Sequence, residues 1–473
     1  MKQKNQFYEL EITDITSEGF GVSKAPDGKT VFVSLALKGE RVRAKIIKEY
    51  KSYYIARLEE ILRASDARVE PDCKAFTQCG GCAFRHLGYS AELEAKRGFV
   101  ESVMKRIGKQ ELSVSTPLSG EEDAYRNKLM LPVGENGDGL FAGFYARHSH
   151  RIVPCEECRL HSEDFTEIVQ ALLRMMSLRG FRAYDEKSGK GLVRHIYLRR
   201  TREGKFCVCV VINGKKLPFA EELASELRER FPAVVSFFVN INTENTNVIL
   251  GDRFERISGD ERLYDSLLGK RFALSPASFY QVNPEMTEKL YSVAKEFADL
   301  KDNEVCLDLY CGAGTVGLCL VNETNKLCGV EIIEEAIENA KLNAEMNGRS
   351  QGDTLFLAGD ARIGIEACKK AFGKPDVIVV DPPRKGLEAK LIEEICDTCP
   401  DRVVYISCNP STLARDVALF AEKGFYLKKI QAVDLFPRTT HVETVSLFSR
   451  KDVHERIKFD VNVEELNRIS QSK

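Results

Sequence analysis

The sequence predicts an α/β protein, built as a doubly wound and mostly parallel sheet preceded by a small β-barrel and a mixed α+β segment. Three observations carry this. Beyond Phe272, uninterrupted apolar runs (EVCLDLY, KLCGVEI, DTLFLAGD, DVIVVDPP, RVVYISC) alternate with helical stretches, as in parallel sheets covered on both faces. Residues 1–63 instead hold short β-type runs (FYELEITDI, TVFVSLAL, RVRAKII, YYIARLEEIL) broken by the Gly19–Gly21 and Pro26–Lys29 turns. Between them, RNKLMLPV, GLFAGFYA, RHIYLRRT, KFCVCVVING, VVSFFVNIN and NVILGD read as strands, with ALLRMMSLRG and EELASELRERF as helices.

The elements divide the chain into 1–63, 64–270 and 271–451, followed by a polar tail over 452–473. The middle part opens on a cysteine-bearing loop. A helix is then predicted from Ser90 to about Lys109, because Leu93, Phe99, Val100, Val103 and Ile107 recur at helical spacing. In the barrel, Arg41, Arg43, Lys45, Lys48 and Lys51 lie close to Tyr50, Tyr53 and Tyr54, a composition suited to RNA backbone and stacked bases.

Composition narrows the function class. The chain has 473 residues, with Lys+Arg 69 against Asp+Glu 71, 43% hydrophobic and 30% charged residues. That is the profile of a globular protein, not of a disordered or fibrous one. No apolar run approaches a membrane span, and no apolar stretch follows the basic first residues, so a cytoplasmic protein without membrane contact is expected. Fifteen cysteines in so long a chain argue for free thiols, catalysis or metal rather than a disulfide scaffold.

The chemistry-bearing residues gather at the carboxyl ends of the predicted parallel strands. LDLYCGAGTVGL (307–318) brings Asp308 and a turn containing Gly312 and Gly314 to the start of a helix, which lets a ligand approach the backbone closely. Its spacing is not the dinucleotide G-x-G-x-x-G. Glu331 closes the next strand, where a carboxylate can accept both ribose hydroxyls. Asp360 follows the third strand, in position for an adenine amino group. Asp381 follows the fourth, in DPPRKG. Four acidic strand ends in register resemble a Rossmann-like class I S-adenosylmethionine-dependent methyltransferase. The fifth strand ends in YISCNP, and the following Asn409 and Pro410 place Cys408 at a loop mouth, where a nucleophilic thiol belongs. Glu443, in FPRTTHVETV, is placed to face it.

The set CGAGT, DPPRKG, SCNP, HVETV and SFYQVN (278–283) closely resembles the RNA uracil-5-methyltransferase family, and the amino-terminal barrel resembles its TRAM domain, an OB-type RNA-binding module. The resemblance implies S-adenosylmethionine as cofactor, Cys408 as nucleophile and Glu443 as the base. It places Gln281, Tyr310, Glu331 and Asp381 around cofactor and target base, and implies that the helix after the cysteine loop packs on the catalytic part. These residue types suit the chemistry. C5 of uracil attacks a sulfonium methyl only after a thiolate has added to C6, and a carboxylate must then remove the C5 proton.

A second cysteine group, Cys73, Cys79 and Cys82 in CKAFTQCGGCAF, has Cys155 and Cys158 much further along. Four such thiolates suit zinc or a [4Fe–4S] cluster. Three close thiolates beside Gly-Gly favour iron–sulfur, and the resemblance points the same way with Cys158 as fourth ligand. A cluster beside a conventional nucleophile reads as structural or RNA-contacting. The cysteine set resembles the branch acting on 23S ribosomal RNA more than the transfer-RNA branch, and a monomer is expected. Two rivals are an RNA cytosine-5 methyltransferase and a non-catalytic RNA-binding or chaperone protein. The first would carry a second cysteine beside the fourth-strand proline, where this chain has Asp381.

Overall fold

The computed structural model describes residues 4–450, so the predicted tail lies outside the described residues. Three sheets follow one another along the chain. The first has six strands in the order Phe7–Glu11, Arg41–Glu49, Tyr53–Arg63, Thr30–Ser34, Phe20–Lys24, Asp14–Ile15. Its two edge strands are consecutive in the chain, joined only by Ile12 and Thr13. Ile12 N donates to Glu40 O at 2.8 Å and Thr13 N to Val22 O at 2.8 Å, so the sheet closes on itself around Val31, Val33, Val42, Ala44 and Ile46. Tyr54 does not join the aromatic surface that its sequence neighbourhood suggests. It is buried, and its hydroxyl donates to Asp27 at 2.6 Å. Tyr50 and Tyr53 stack on the outside with centroids 4.5 Å apart, and Lys48 lies over Tyr50.

The second sheet has seven strands, from Arg253–Gly259 at one edge through Val234–Ile241, Phe206–Ile212, Val193–Arg200, Lys128–Asn136 and Gly139–Tyr145 to Ile152–Pro154 at the other. Helices Glu163–Leu178 and Ala220–Arg230 cover one face, and their Phe165, Leu172, Leu223 and Leu227 share a core with the sheet. NVILGD is not a strand. The edge strand begins after it, at Arg253, because the chain first needs a turn in which Asn240 and Asn242 side chains hold the carbonyls of Gly251, Val248 and Ile249. A hairpin, Leu263–Leu267 with Lys270–Leu274, leads out of it.

The third sheet runs Thr354–Ala358, Lys326–Glu331, Val305–Leu309, Val377–Val380, Arg402–Ser407, Glu443–Arg450, Phe425–Val433. Numbered within this sheet, the order is three-two-one-four-five-seven-six, with only the seventh strand reversed. The order turns at the strand beginning with Val305, which creates the crevice where ligands bind in such sheets. The central strands Val305–Leu309, Val377–Val380 and Arg402–Ser407 are buried almost throughout because helices pack on both faces.

The helix Tyr89–Arg106 packs on the third sheet's side of the molecule. Val100, Val103 and Met104 join the core of Leu413, Ala414 and Val417 from the helix Pro410–Glu422. Its other anchor is ionic. The buried Lys96 Nζ donates at 2.7 Å to Glu92 and at 2.7 Å to Asp434, and Tyr89 donates to the second oxygen of Asp434 at 2.9 Å. Arg438, with φ of 68°, donates its backbone N–H to Glu92 at 2.8 Å and pairs with Glu122. Removing one member of a buried ion network leaves uncompensated charge, at about 3–5 kcal/mol. Lys96→Met is therefore expected to lower stability by about that amount in equilibrium chemical unfolding. The triple change Glu92→Gln, Lys96→Met, Asp434→Asn should cost less than the single one.

Candidate active site

The glycine-rich turn is shaped by the strand before it. Asp308, fully inside the sheet, accepts the Gly317 N–H at 2.8 Å and so holds the helix Thr315–Leu320 against the strand end. Tyr310, Gly312 and Gly314 all have positive φ, 71°, 52° and 79°. A side chain at Gly312 would point into open space. That space is a cavity of about 130 Å³ lined by Phe279, Gly312, Ala313, Glu331, Ile333 and Ala336. Glu331 reaches in with one oxygen on Gly312 N at 3.3 Å and the other on Ile333 N at 3.1 Å. Phe279, Ile332, Ile333 and Ile363 expose large apolar surfaces around it. An open cradle with Glu331 and Glu335, the polar Ser278 and Asn339, and otherwise apolar walls fits a nucleoside with ribose hydroxyls, and therefore fits S-adenosylmethionine.

The structure does not place the predicted residues alike. Gly312 and Glu331 line this cavity, whereas Gly314 backs onto Ala340, Leu318 and Phe356, and Tyr310 packs against the core of Leu309 and Val380. The carbonyl of Gln281 accepts from Asn127 Nδ2 at 3.0 Å, which fixes the SFYQVN segment beside the second sheet. Asp360 has a local job: it caps the helix Ala361–Phe372 by accepting Arg362 N at 3.1 Å, and pairs with Arg362 Nε at 2.8 Å. The apolar residues Phe279, Ile332 and Ile363 were not singled out in the sequence. Only Ile332 carries a signal, since an isoleucine directly after the acidic strand end Glu331 leaves the sheet core.

The second half of the site lies across the sheet edge. Strand register pairs Ser407 with Thr444, so Cys408 and Glu443 are the next opposed positions of an antiparallel pair. Asp381 leaves the neighbouring parallel strand, whose Val380 pairs with Tyr405. Arg384 stitches the loops. Its carbonyl accepts from Asn409 Nδ2 at 3.1 Å and Thr412 Oγ1 at 3.2 Å, and its guanidinium lies 3.3 Å from His441 Nε2. A pocket of about 230 Å³ opens here, lined by Cys408, Asn409, Arg384, His441, the barrel residue Glu18 and the helix residue Phe99.

Burial dominates the electrostatics. It raises Glu443 to about 8, with the Asp381 charge adding to the effect and Arg384 opposing it. Burial alone raises Asp381 to about 7 and, against the Gly317 N–H, raises Asp308 to about 8. The Cys408 thiol is pushed up to about 11 by burial, then by Glu443 and Asp381, with Arg384 pulling the other way. The free site thus holds a thiol rather than a thiolate, and proton loss must accompany attack.

The second cysteine group also converges. Cys79 feels the charges of Cys158 and Cys73, and Cys82 those of Cys158 and Cys79. Cys155 hydrogen-bonds Cys158 from the side. Gly81 N donates to Cys79 Sγ at 3.3 Å, and a side chain at Gly80 would come within 2.9 Å of the Tyr145 carbonyl. Four thiols with a backbone donor form a set that suits a [4Fe–4S] cluster.

Strand order, the glycine cradle and the acidic strand ends define a class I methyltransferase fold that takes S-adenosylmethionine. A family profile described as tRNA (Uracil-5-)-methyltransferase matches residues 88–359 and 364–451, and a TRAM domain profile matches residues 2–58. An uncharacterized RNA methyltransferase of Listeria monocytogenes serotype 4b is 44% identical over 447 residues, spanning 94% of this chain and 98% of its own. One from Clostridium acetobutylicum is 42% identical over 456 residues, 95% of this chain and 98% of its own. Among solved structures, Pyrococcus abyssi tRNA (uracil-54, C5)-methyltransferase in complex with S-adenosyl-L-homocysteine matches with a TM-score of 0.76 at 26% identity, over 93% of this chain and 99% of that one. The chain belongs to the RNA uracil-5-methyltransferase family and carries a TRAM domain. It is an S-adenosylmethionine-dependent enzyme that methylates uracil C5 in RNA.

The raised carboxyls have a consequence for stability. In the unfolded chain Asp308, Asp381 and Glu443 ionise near their ordinary values, well before they do so in the fold. The unfolded state therefore binds fewer protons as pH rises from about 4.5 to about 8, and stability falls across that window. Denaturant midpoints of the ligand-free protein should decline between pH 5 and 8, and Glu443→Gln should flatten the decline. A slope unchanged by that substitution would remove Glu443 from the account.

Proposed function

We propose that Cys408 and Glu443 act on opposite steps of uridine methylation through a covalent adduct, and that the RNA is 23S ribosomal RNA. The opposition of Cys408 and Glu443 across one antiparallel pair, with Cys408 in the wall of the second pocket, carries the reading. Cys408 Sγ adds to C6 of the target uracil as its proton passes to solvent water, and the C5–C6 electron pair moves toward C5 and O4. Arg384, the cation acting on both groups, offsets the negative charge that develops. Bound S-adenosylmethionine supplies an electrophilic methyl. Glu443 then takes the C5 proton, the electrons of that C–H bond rebuild C5=C6, and the Cys408 sulfur leaves as thiolate. Asp381, at the end of the neighbouring parallel strand, is proposed to accept from the uracil N3–H.

The two groups act at different times, so their removal has different outcomes. Cys408→Ala should give neither product nor adduct. Glu443→Gln should lower turnover by about 10²–10⁴-fold, the range for lost proton transfer, while methylated RNA stays bonded to Cys408. RNA carrying 5-fluorouridine should trap the wild-type chain only with S-adenosylmethionine present. Denaturing gels with labelled RNA check all three, and an adduct in Cys408→Ala would move the nucleophile to another thiol.

For the target, the cysteine set favours ribosomal RNA, whereas the Pyrococcus neighbour, similar along nearly the whole chain, is named for transfer RNA. Transfer RNA is therefore the second reading. Mapping 5-methyluridine in both RNAs with and without the gene separates them. The enzyme is proposed to act in the cytoplasm as a monomer. Among the described residues, no helix is long and apolar enough to cross a membrane.

Cys73, Cys79, Cys82 and Cys158 are proposed to hold a [4Fe–4S] cluster, with Arg147 beside Cys79 and Cys82 and bonded to the Cys82 carbonyl. Protein purified without oxygen should be brown and contain iron and sulfide, and Cys79→Ser should lose both. Stoichiometric zinc without iron would overturn the assignment.

A further inference from the structure

Strand Lys128–Asn136 begins with a charge that the fold does not neutralise. In register, Lys128 lies opposite Arg199 on the adjacent antiparallel strand, and like charges directly opposite each other destabilise a sheet. Arg199 is accounted for, since its guanidinium donates to the carbonyls of Ser275 at 3.1 Å and Ser278 at 2.6 Å. Lys128 is not. Among the described residues, no carboxylate stands within ion-pair distance of Lys128 or Arg126. The Lys128 ammonium lies 6.0 Å above the ring of Phe279, at the lip of the cofactor cavity. Burial, then Arg199 and Arg126, depress its amine to about 8.

Arg126 lies two residues earlier, across a bend at Asn127, and its charge is felt at Lys128. Its guanidinium stands 5.7 Å above the Tyr125 ring, and its buried Nε has no hydrogen-bond partner. Its charge is felt at His441, on the wall of the Cys408 pocket, and Tyr125 donates to the Pro437 carbonyl of the segment leading to that histidine at 3.1 Å. Between the two cations, Asn127 is pinned to the SFYQVN segment by N–H to Val282 O at 2.8 Å and Nδ2 to Gln281 O. A rigid pair of cations without a counterion thus spans the gap between the cofactor cavity and the nucleophile pocket.

We propose that Arg126 and Lys128 form an anion seat for a phosphodiester of the RNA strand next to the target uridine, with Arg199 as a fixed supporting charge. This rests on the reading that the uridine enters at Cys408. A phosphate supplies the missing counterion and satisfies the orphaned Arg126 Nε. The carboxylate of S-adenosylmethionine shares this chemistry, and the experiment separates the two.

The test measures binding of a fluorescein-labelled single-stranded oligouridylate by anisotropy over a series of KCl concentrations, for wild type, Lys128→Gln, Arg126→Gln and Lys128→Arg. S-adenosylhomocysteine binding is followed by calorimetry in parallel. Each glutamine variant should bind RNA about tenfold more weakly at low salt, with the slope of log K against log [KCl] reduced by about 0.7, one single-strand phosphate contact. Lys128→Arg should keep the slope, and S-adenosylhomocysteine affinity should hold throughout. Because Lys128 faces Arg199, Lys128→Gln should melt no lower than wild type, which separates lost binding from lost folding. An unchanged slope overturns the seat, as does a loss of S-adenosylhomocysteine affinity in its place. If the Lys128-dependent slope is found but 5-fluorouridine RNA forms no adduct, the seat stands and the role given to Cys408 fails.

Discussion

The position of Glu443, the proposed base, depends on one buried ammonium. Lys96 sits between Glu92 on its own helix and Asp434 at the end of strand Phe425–Val433, all three without solvent contact. Burying three ions is costly unless each is fully paired, so the network tolerates one geometry only. That geometry fixes the course of the chain from Asp434 to Arg438. Arg438, in a left-handed conformation, is held by Glu92, Glu122 and the Leu87 carbonyl. Five residues later the chain is at Glu443. A helix that lies outside the catalytic sheet in sequence thereby sets where the reversed strand starts, and burial raises the affinity of Glu443 for a proton.

The same arrangement explains the acid-rich character of the pocket. Asp308, Asp381 and Glu443 all have raised affinities for protons because each stands at the dry end of a sheet whose strands are covered on both faces. Arg384 is the cation that opposes this at the nucleophile, and its backbone ties the Asp381 loop to the Cys408 loop. A site so arranged does not store a thiolate. It lets sulfur and carboxylate exchange charge during the reaction, which suits a sequence in which the thiol is deprotonated early and the carboxyl must accept a proton late.

Much of this was legible in the sequence because parallel strands advertise themselves. Their apolar runs end in acidic or glycine residues, and those ends share one edge, so Glu331, Asp381 and Cys408 read as neighbours before any coordinates. The reversal of the strand Glu443–Arg450 was not legible, because apolar runs carry no direction; only the register of Ser407 with Thr444 shows why Glu443 meets Cys408. Local hydrogen bonding also escaped the pattern. Asp360 stands at a strand end as the sequence suggests, and one of its oxygens also caps its own helix, which the pattern does not show. Tyr54 looks like its half-buried neighbours Tyr50 and Tyr53 but finds Asp27 across the barrel. The NVILGD run is apolar enough for a strand, yet two asparagine side chains claim its carbonyls. The Arg126–Lys128 pair was missed for a related reason: unbalanced charge appears only when strand partners are known.

The register of Ser407 with Thr444 has an evolutionary corollary. Successive residues of a strand face opposite sides of the sheet, so gaining or losing one residue between Asp434 and Val442 would, if absorbed by the strand, turn Glu443 away from Cys408 and bring a neighbour round in its place. Substitutions in that segment alter packing by degrees, whereas a change in its length is all or nothing. Lineages of this enzyme should therefore diverge freely in the composition of the loop before the last strand while its residue count stays frozen, and any that escaped the constraint would need a bulge to restore the face that the base presents.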